Sequence, residues 1–196
     1  NIKINNGSTA LIEAAMNEHE LVVNTLIKRR ANVNAINQYS ETPLIATARR
    51  GLNKMVNLLL DLGAEINAQK KNGSTALMLA AWNGHGAVVD TLLNRRAEIN
   101  IQNNNGDTAL TYASRRRHEQ VVDTLLEWGA VVFAVAVWAP PAEAEATAEA
   151  VQVQEATAEA EEVQEPAAAD VNIVNHEGNT ALMYAVEFDF INIVRL

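Results

Sequence analysis

Residues 73–85 read GSTALMLAAWNGH, and close relatives of this segment recur along the chain. A Thr followed by Ala or Pro and then Leu stands at four positions 33 residues apart, and once more 72 residues after the fourth. These threonines are Thr9, Thr42, Thr75, Thr108 and Thr180. One motif recurring in one register predicts a repeat protein whose unit has about 33 residues.

Each unit has the pattern of two short helices. The Thr is a favoured N-cap, because its hydroxyl accepts from a free N–H of the first turn, and Pro43 suits the first helical position. Leu77, Ala80 and Ala81 share one helical face. After a turn at Asn83-Gly84-His85, the apolar spacing predicts a second helix. Its apolar positions in the first and third units are Val22, Val23, Leu26, Ile27, Val88, Val89, Leu92 and Leu93.

A glycine two residues before the Thr indicates a tight turn or hairpin between units. This position holds Gly7, Gly73, Gly106 and Gly178, and Ser40 replaces the glycine in the second unit. Glycine adopts the positive φ of such turns without a steric penalty.

One unit cannot cover its own apolar face, whereas stacked units bury their helices against each other. The sequence therefore predicts a solenoid. It resembles the ankyrin repeat family in its Gly-x-Thr-Pro/Ala-Leu motif, the Ala-Ala pair, Gly84-His85, the Val-Val…Leu-Leu second helix and the closing GAEINA of residues 63–68. The resemblance implies a mainly α fold, in which each repeat gives a β-hairpin finger and two antiparallel helices. It covers residues 1–133 as four repeats and 169–196 as a final, truncated repeat.

One departure from the family pattern concerns the His that usually follows Thr-Pro-Leu. Its place is taken by Ile12, Ile45, Met78, Thr111 and Met183. The resemblance implies that a polar contact between repeats is lost there.

Residues 134–168 break the period. With residue 169 they hold 14 Ala, eight Glu and no basic residue, whereas residues 1–133 hold 14 Lys/Arg against 12 Asp/Glu, a net +2. The overall charge of −9 is thus concentrated in this segment. It is either a degenerate repeat lengthened by six residues or an acidic insertion that leaves the solenoid. We favour the degenerate repeat, because the pattern resumes in full register at Ala169.

The sequence argues against several function classes. The chain has no cysteine, which excludes disulfides and thiolate sites. His19-Glu20 and His118-Glu119 lack the second His of a zinc-protease motif, and Gly84-His85-Gly86 lacks the third glycine of a dinucleotide loop. We expect neither enzymatic activity, nor a metal or cofactor, nor a small-molecule substrate.

Location and other partners follow from charge and hydropathy. The longest apolar run, residues 131–139, is too short to span a membrane. A body of net charge +2 is not the basic domain that nucleic acid requires. With no leader visible, we expect an intracellular, cytoplasmic monomer.

The positions that vary while the frame repeats are the candidate partner-binding residues. In ankyrin-like repeats they lie on the hairpin tips and on the exposed side of the first helix, lining a concave groove. On the helices they are Arg49, Arg50, Trp82, Asn83, Arg115 and Arg116, and on the hairpins Tyr39, Glu41, Lys71, Ser74, Asn104 and Asp107. Trp, Tyr and Arg dominate binding energy at interfaces.

The predicted function is non-catalytic recognition of another protein, with an acidic segment as one candidate for the bound part, since Arg pairs well with carboxylates. The alternative is a structural or regulatory ankyrin segment of a larger multidomain protein, whose activity lies outside this chain.

Overall fold

The computed structural model describes residues 9–137, 170, 173–181 and 183. Within these residues eight α-helices alternate between the first and second helix of a unit. They are α1 (Ala10–Met16), α2 (Glu20–Lys28), α3 (Pro43–Arg49), α4 (Asn53–Asp61), α5 (Ala76–Trp82), α6 (Gly86–Asn94), α7 (Ala109–Arg115) and α8 (Glu119–Val137). The predicted pair of helices is confirmed in each of the first four units.

The threonines cap the first helices as predicted. The hydroxyl oxygens of Thr9, Thr42 and Thr75 accept from the backbone N–H three residues later, at 3.2 to 3.3 Å. In the fourth unit the bond is reciprocal, because Thr108 and Thr111 each accept from the other's backbone N–H. Each cap satisfies an N–H that the helix itself cannot pair.

The helices stack in two layers, one formed by the first helices and one by the second. In the first layer α5 packs between α3 and α7, and in the second α6 packs between α4 and α8. The same Leu of the second helix is fully buried in three successive units, as Leu59, Leu92 and Leu125. The core therefore runs continuously through the stack between the two layers.

The predicted burial of Val22 is wrong. Its side chain is 48% exposed, whereas the equivalent Met55, Val88 and Val121 are 1 to 2% exposed. Each of those three residues belongs to a unit that follows another in the stack, whereas no described unit precedes the first. The contrast is the one expected where a neighbouring unit supplies part of the burial.

The fingers that precede the first helices are tight turns. Residues 37–41, 70–74, 103–107 and 175–179 are each closed by a backbone N–H that donates to the carbonyl four residues later. Adjacent fingers are joined by single backbone bonds, such as Lys71 N–H to Tyr39 O and Asn104 N–H to Asn72 O. The turn prediction is confirmed, with Gly73, Gly106 and Gly178 at positive φ.

A His in the turn between the two helices makes a polar contact with the preceding unit. The Nε2 atoms of His85 and His118 lie 3.1 and 3.0 Å from the carbonyl oxygens of Arg49 and Trp82 in the preceding unit. Each ring also lies so close to Gly51 or Gly84 that a Cβ added there would come within 2.7 Å of it. A polar contact between repeats therefore persists, made from the turn between the two helices.

The described part of the fifth unit contacts the fourth unit directly. Asn34 and Asn67 each accept from a backbone N–H of the next unit 31 residues later, at Glu65 and Glu98. Asn100 makes the same bond to Asp170, 70 residues later. The chain between the fourth and fifth units is therefore 39 residues longer than the chain between earlier neighbouring units.

Residues 138–169 lie outside the described residues, and α8 extends past the predicted boundary at 133. The fifth finger occupies the position next to the fourth, and the predicted degenerate repeat falls on residues outside the described part of the chain.

Ser40→Gly is expected to stabilise the protein. Ser40 has a φ of 58°, in the left-handed region that costs a non-glycine residue about 1–2 kcal/mol. Partly offset by the greater entropy of glycine in the unfolded chain, the gain should be about 0.5–1 kcal/mol. Urea unfolding measures it. Gly106→Ser is the opposite control, because its Cβ would lie 2.9 Å from the Cα of Asn175; equal effects of the two changes would contradict this reading.

Deletion of residues 131–169 should leave the stack intact. It joins Gly129-Ala130 to Asp170-Val171-Asn172, which reproduces the GAEIN junction of residues 63–67. The shortened chain keeps the bond from Asp170 to Asn100, so urea unfolding should give a nearly unchanged m-value, since m scales with the surface exposed. A lower m-value together with lower stability would instead reveal a stacked repeat. Deletion of 136–174, equally long, is the control that destroys the Asp170 contact.

Candidate functional site

Three successive first helices end on one face of the stack. Arg49, Trp82 and Arg115 are the last residues of α3, α5 and α7, and each is followed by a second candidate, Arg50, Asn83 or Arg116. Because α5 packs between α3 and α7, these six residues lie side by side. We call this surface the first-helix face.

Trp82 is the centre of the first-helix face. Its half-buried ring lies 4.9 Å from the ring of Tyr112, tilted by 60°. The guanidinium carbon of Arg116 lies 4.7 Å from the Trp82 ring centroid, a cation–π distance. The carbonyl oxygen of Trp82 also lies 3.0 Å from His118 Nε2. Residues of the fourth repeat thus hold Trp82 in place from several sides.

Three of the predicted hairpin residues are not on the surface. Glu41, Ser74 and Asp107 occupy the position just before the capping Thr and are 6%, 0% and 1% exposed. The expectation that they lie at exposed tips is wrong, because this position turns inward beneath the end of the first helix. They can support the first-helix face but cannot touch a partner.

Glu41 is a buried carboxylate beside two partly exposed cations. Its Oε1 is 3.5 Å from Arg49 Nε and 3.2 Å from Lys70 Nζ, and its Oε2 accepts from the Asn37 amide at 3.2 Å. The Arg49 side chain remains 41% exposed, so one side faces the carboxylate and the other faces solvent. Burial without these partners would be costly for a carboxylate.

Asp107 repeats this arrangement in the fourth unit. Its Oδ2 lies 3.5 Å from Arg115 Nη1, and its Oδ1 accepts from Asn175 Nδ2 at 2.9 Å. In the third unit the same two positions hold Ser74 and Trp82, and Ser74 Oγ lies 3.4 Å from Tyr112 OH. An inward carboxylate therefore accompanies an Arg eight residues later, and an inward Ser accompanies the Trp.

The remaining hairpin candidates are exposed as predicted. Tyr39 is 57% exposed, and Lys71 and Asn104 lie on the tips of the next two fingers. Asn104 Nδ2 donates to Lys71 O at 3.2 Å, which joins the two tips. Asn83, on the first-helix face, is exposed and donates to Leu79 O at 2.7 Å.

The first-helix face and its fingers carry an excess of positive charge. Arg50, Lys71 and Arg116 are exposed, and within the described residues none of them forms an ion pair. Arg50 donates to the carbonyl of Met16 in the first unit. The carboxylates beneath the face, Glu41 and Asp107, are directed at Arg49, Lys70 and Arg115.

Sequence reasoning missed Tyr112, Lys70 and His118. Tyr112 accepts from Asn103 Nδ2 at 2.8 Å and contacts Trp82 and Ser74, so it joins the finger to the first-helix face. The sequence contains a signal for this arrangement. In two units an acidic residue is followed eight positions later by Arg, as Glu41 and Arg49 and as Asp107 and Arg115. Recognising it requires knowing that the finger folds back onto the helix end.

The described residues contain no group of three His, Asp or Glu side chains placed to hold a metal ion. Over the same residues, no helix is both long and apolar enough to cross a membrane.

The stacked helix pairs, capped turns and contacts between fingers define a repeat solenoid. A family model described as ankyrin repeats (3 copies) matches residues 1–70 and 47–135, and the chain belongs to the ankyrin repeat family. Such repeats generally serve as protein–protein interaction modules and are typically non-catalytic. A search of curated proteins finds no match.

Glu41→Ala is expected to lower the free energy of unfolding by about 1–3 kcal/mol, because it leaves Lys70 and Arg49 beside an empty, partly buried space. Thermal and urea unfolding measure the loss. Asp61→Ala is the matched control: it also removes an acid from an ion pair, with Arg95, but its side chain is 61% exposed, so the cost should stay below about 1 kcal/mol. Equal losses would mean that burial of Glu41 has no energetic consequence.

Proposed function

We propose that the first-helix face and the adjoining fingers form a concave groove that binds an acidic segment of another protein, without catalysis. The observation that supports this most strongly is Trp82, a half-buried aromatic held by Tyr112 and Arg116 between two Arg pairs. Aromatic and Arg side chains at the centre of a surface are those that contribute most to protein binding.

Preorganisation supports the same proposal. Trp82 is fixed by three contacts from the fourth repeat, with the Tyr112 ring, the Arg116 guanidinium and the His118 imidazole. Side chains that are already ordered lose little conformational entropy when a partner binds. A surface built in this way favours recognition over a purely structural role.

The sign of the charge supports an acidic partner. The exposed cations Arg50, Lys71 and Arg116 face solvent, whereas the two carboxylates of this region are buried. A partner carboxylate would meet planar guanidinium groups that can accept it in a bidentate geometry. Such pairing also accelerates encounter at low ionic strength.

Affinity capture from an extract of the cells that express the protein tests this function. Trp82→Ala and Arg50→Glu should each fail to capture the same proteins, out of those that the wild type captures, since both remove groups on the binding surface. Lys54→Glu is the matched control: it reverses a charge on the exposed side of α4, in the other layer.

Melting curves must accompany the capture. The proposal requires that Arg50→Glu melts near the wild-type temperature while its captured set changes. If all variants, including Trp82→Ala, capture the same proteins as the wild type, the binding surface lies elsewhere on the chain.

A further inference from the structure

We infer that Asn105 is a site of spontaneous deamidation, at which the asparagine converts to aspartate and isoaspartate. The described residues contain three Asn-Gly pairs, which begin at Asn72, Asn83 and Asn105. Deamidation starts when the backbone nitrogen of the following residue attacks the side-chain amide. A following glycine favours this step, because it has no Cβ to obstruct the approach and its backbone is permissive. The three pairs differ in how the fold holds the asparagine.

The reaction needs no co-reactant except water. The Gly106 nitrogen forms a bond to Cγ of Asn105, and Nδ2 leaves as ammonia with the proton that the Gly106 nitrogen gives up. The product is a cyclic succinimide. Water then opens the ring: cleavage of the Cγ–N bond gives aspartate, whereas cleavage of the original peptide bond gives isoaspartate, whose main chain runs through Cβ and Cγ. Overall, water is consumed, ammonia is released and a neutral amide becomes a carboxylate.

The Asn105 side chain is the least restrained of the three. Asn83 Nδ2, the leaving group at that site, donates to Leu79 O at 2.7 Å, so the amide is held against α5. Asn72 Oδ1 accepts from the Ser74 backbone N–H at 3.2 Å. The Asn105 side chain is exposed and forms no hydrogen bond with any described residue. Its amide can therefore turn towards the following nitrogen without first breaking a bond.

The backbone of the three pairs imposes a similar cost. Each of the three glycine N–H groups donates to the carbonyl three residues earlier, at 2.8 to 3.2 Å. This turn bond has to open before the nitrogen can attack, whichever pair reacts. Asn83 is also the C-cap of α5, and its own N–H is bonded to the last turn of that helix. In the folded protein Asn105 should therefore react first, Asn72 second and Asn83 last.

Isoaspartate at position 105 weakens the junction between the fourth and fifth units. Asn105 O accepts from the His176 N–H at 2.7 Å, a backbone bond that joins the two fingers. Isoaspartate lengthens the main chain at this point, and the next residue has little room to move, since a Cβ added to Gly106 would lie 2.9 Å from the Asn175 Cα. The aspartate product keeps the original main chain and should keep this bond. The isoaspartate fraction, not the new charge, therefore loosens the fifth unit.

Peptide mapping by mass spectrometry tests the site. The protein is incubated in mildly alkaline buffer below its melting temperature, and the mass gain of each Asn-Gly pair is followed over time. Asn105 should react roughly fivefold faster than Asn83, the factor expected when one fewer hydrogen bond has to break. Asn83 or Asn72 reacting as fast as Asn105, or no reaction at Asn105 in the folded protein, overturns the inference.

Incubation in concentrated urea is the matched control. Unfolding releases the hydrogen bonds of all three asparagines, and each keeps its following glycine, so the three rates should become similar. If Asn105 remained the fastest by the same factor in urea, its neighbours in sequence and not the fold would set the order, and the inference would fail. Asn105→Gln is the second control, because ring closure from the longer side chain is much slower, and its mapped peptide should show no mass gain.

Amide hydrogen exchange tests the consequence for the junction. In the incubated wild type, the His176 N–H should exchange faster than in the fresh protein, in proportion to the isoaspartate formed. Asn105→Asp carries the charge without the longer main chain, and Asn105→Gln resists the reaction, so exchange at His176 in both should stay near that of the fresh wild type. Unchanged exchange in wild type that contains isoaspartate, or equally fast exchange in fresh Asn105→Asp, contradicts the weakened junction. Neither result bears on the recognition function, because Asn105 is not part of the first-helix face.

Discussion

Burial of each helix pair against the next unit is the interaction on which the whole structure depends. Leu59, Leu92 and Leu125 are fully buried within the stack, whereas their equivalent in the first unit, Leu26, is only partly buried. Stability in a stack of this kind is close to a sum of repeat and interface terms. Hydrogen bonds then fix the register, since Asn34, Asn67 and Asn100 each accept from the following unit. A stack built from local contacts can accept 39 additional residues between two units, provided the junction bond to Asp170 is kept.

The frame of the fold could be predicted because its determinants are local. A Thr hydroxyl reaches the N–H three residues later within one turn, so the cap is fixed by adjacent sequence. The burial of Glu41, Ser74 and Asp107 could not be predicted in the same way. Whether the residue before the cap turns inward depends on how the finger meets the end of the helix, which is a tertiary feature. Variation between repeats suggests exposure, but at this position it belongs to a buried residue that changes together with the residue eight positions later.

This coupled change explains the composition of the candidate site. Where the inward residue is Glu41 or Asp107, the helix ends in Arg, and where it is Ser74 the helix ends in Trp82. A buried carboxylate requires a compensating cation, whereas Ser74 needs only a hydroxyl partner, which Tyr112 supplies. The alternation of cation, aromatic and cation on the surface is therefore set by the buried residues Glu41, Ser74 and Asp107 beneath it.

The two Arg pairs consequently divide their roles. Arg49 and Arg115 neutralise buried acids, so reversing their charge would disturb the fold as well as any binding. Arg50 and Arg116 follow one residue later, about 100° further round the helix, and this rotation directs them away from the same carboxylates. Arg50 is held by a single bond to Met16 O and Arg116 by the Trp82 ring, both weak enough to be exchanged for a carboxylate. Recognition in this surface should therefore reside in the second Arg of each pair, and stability in the first.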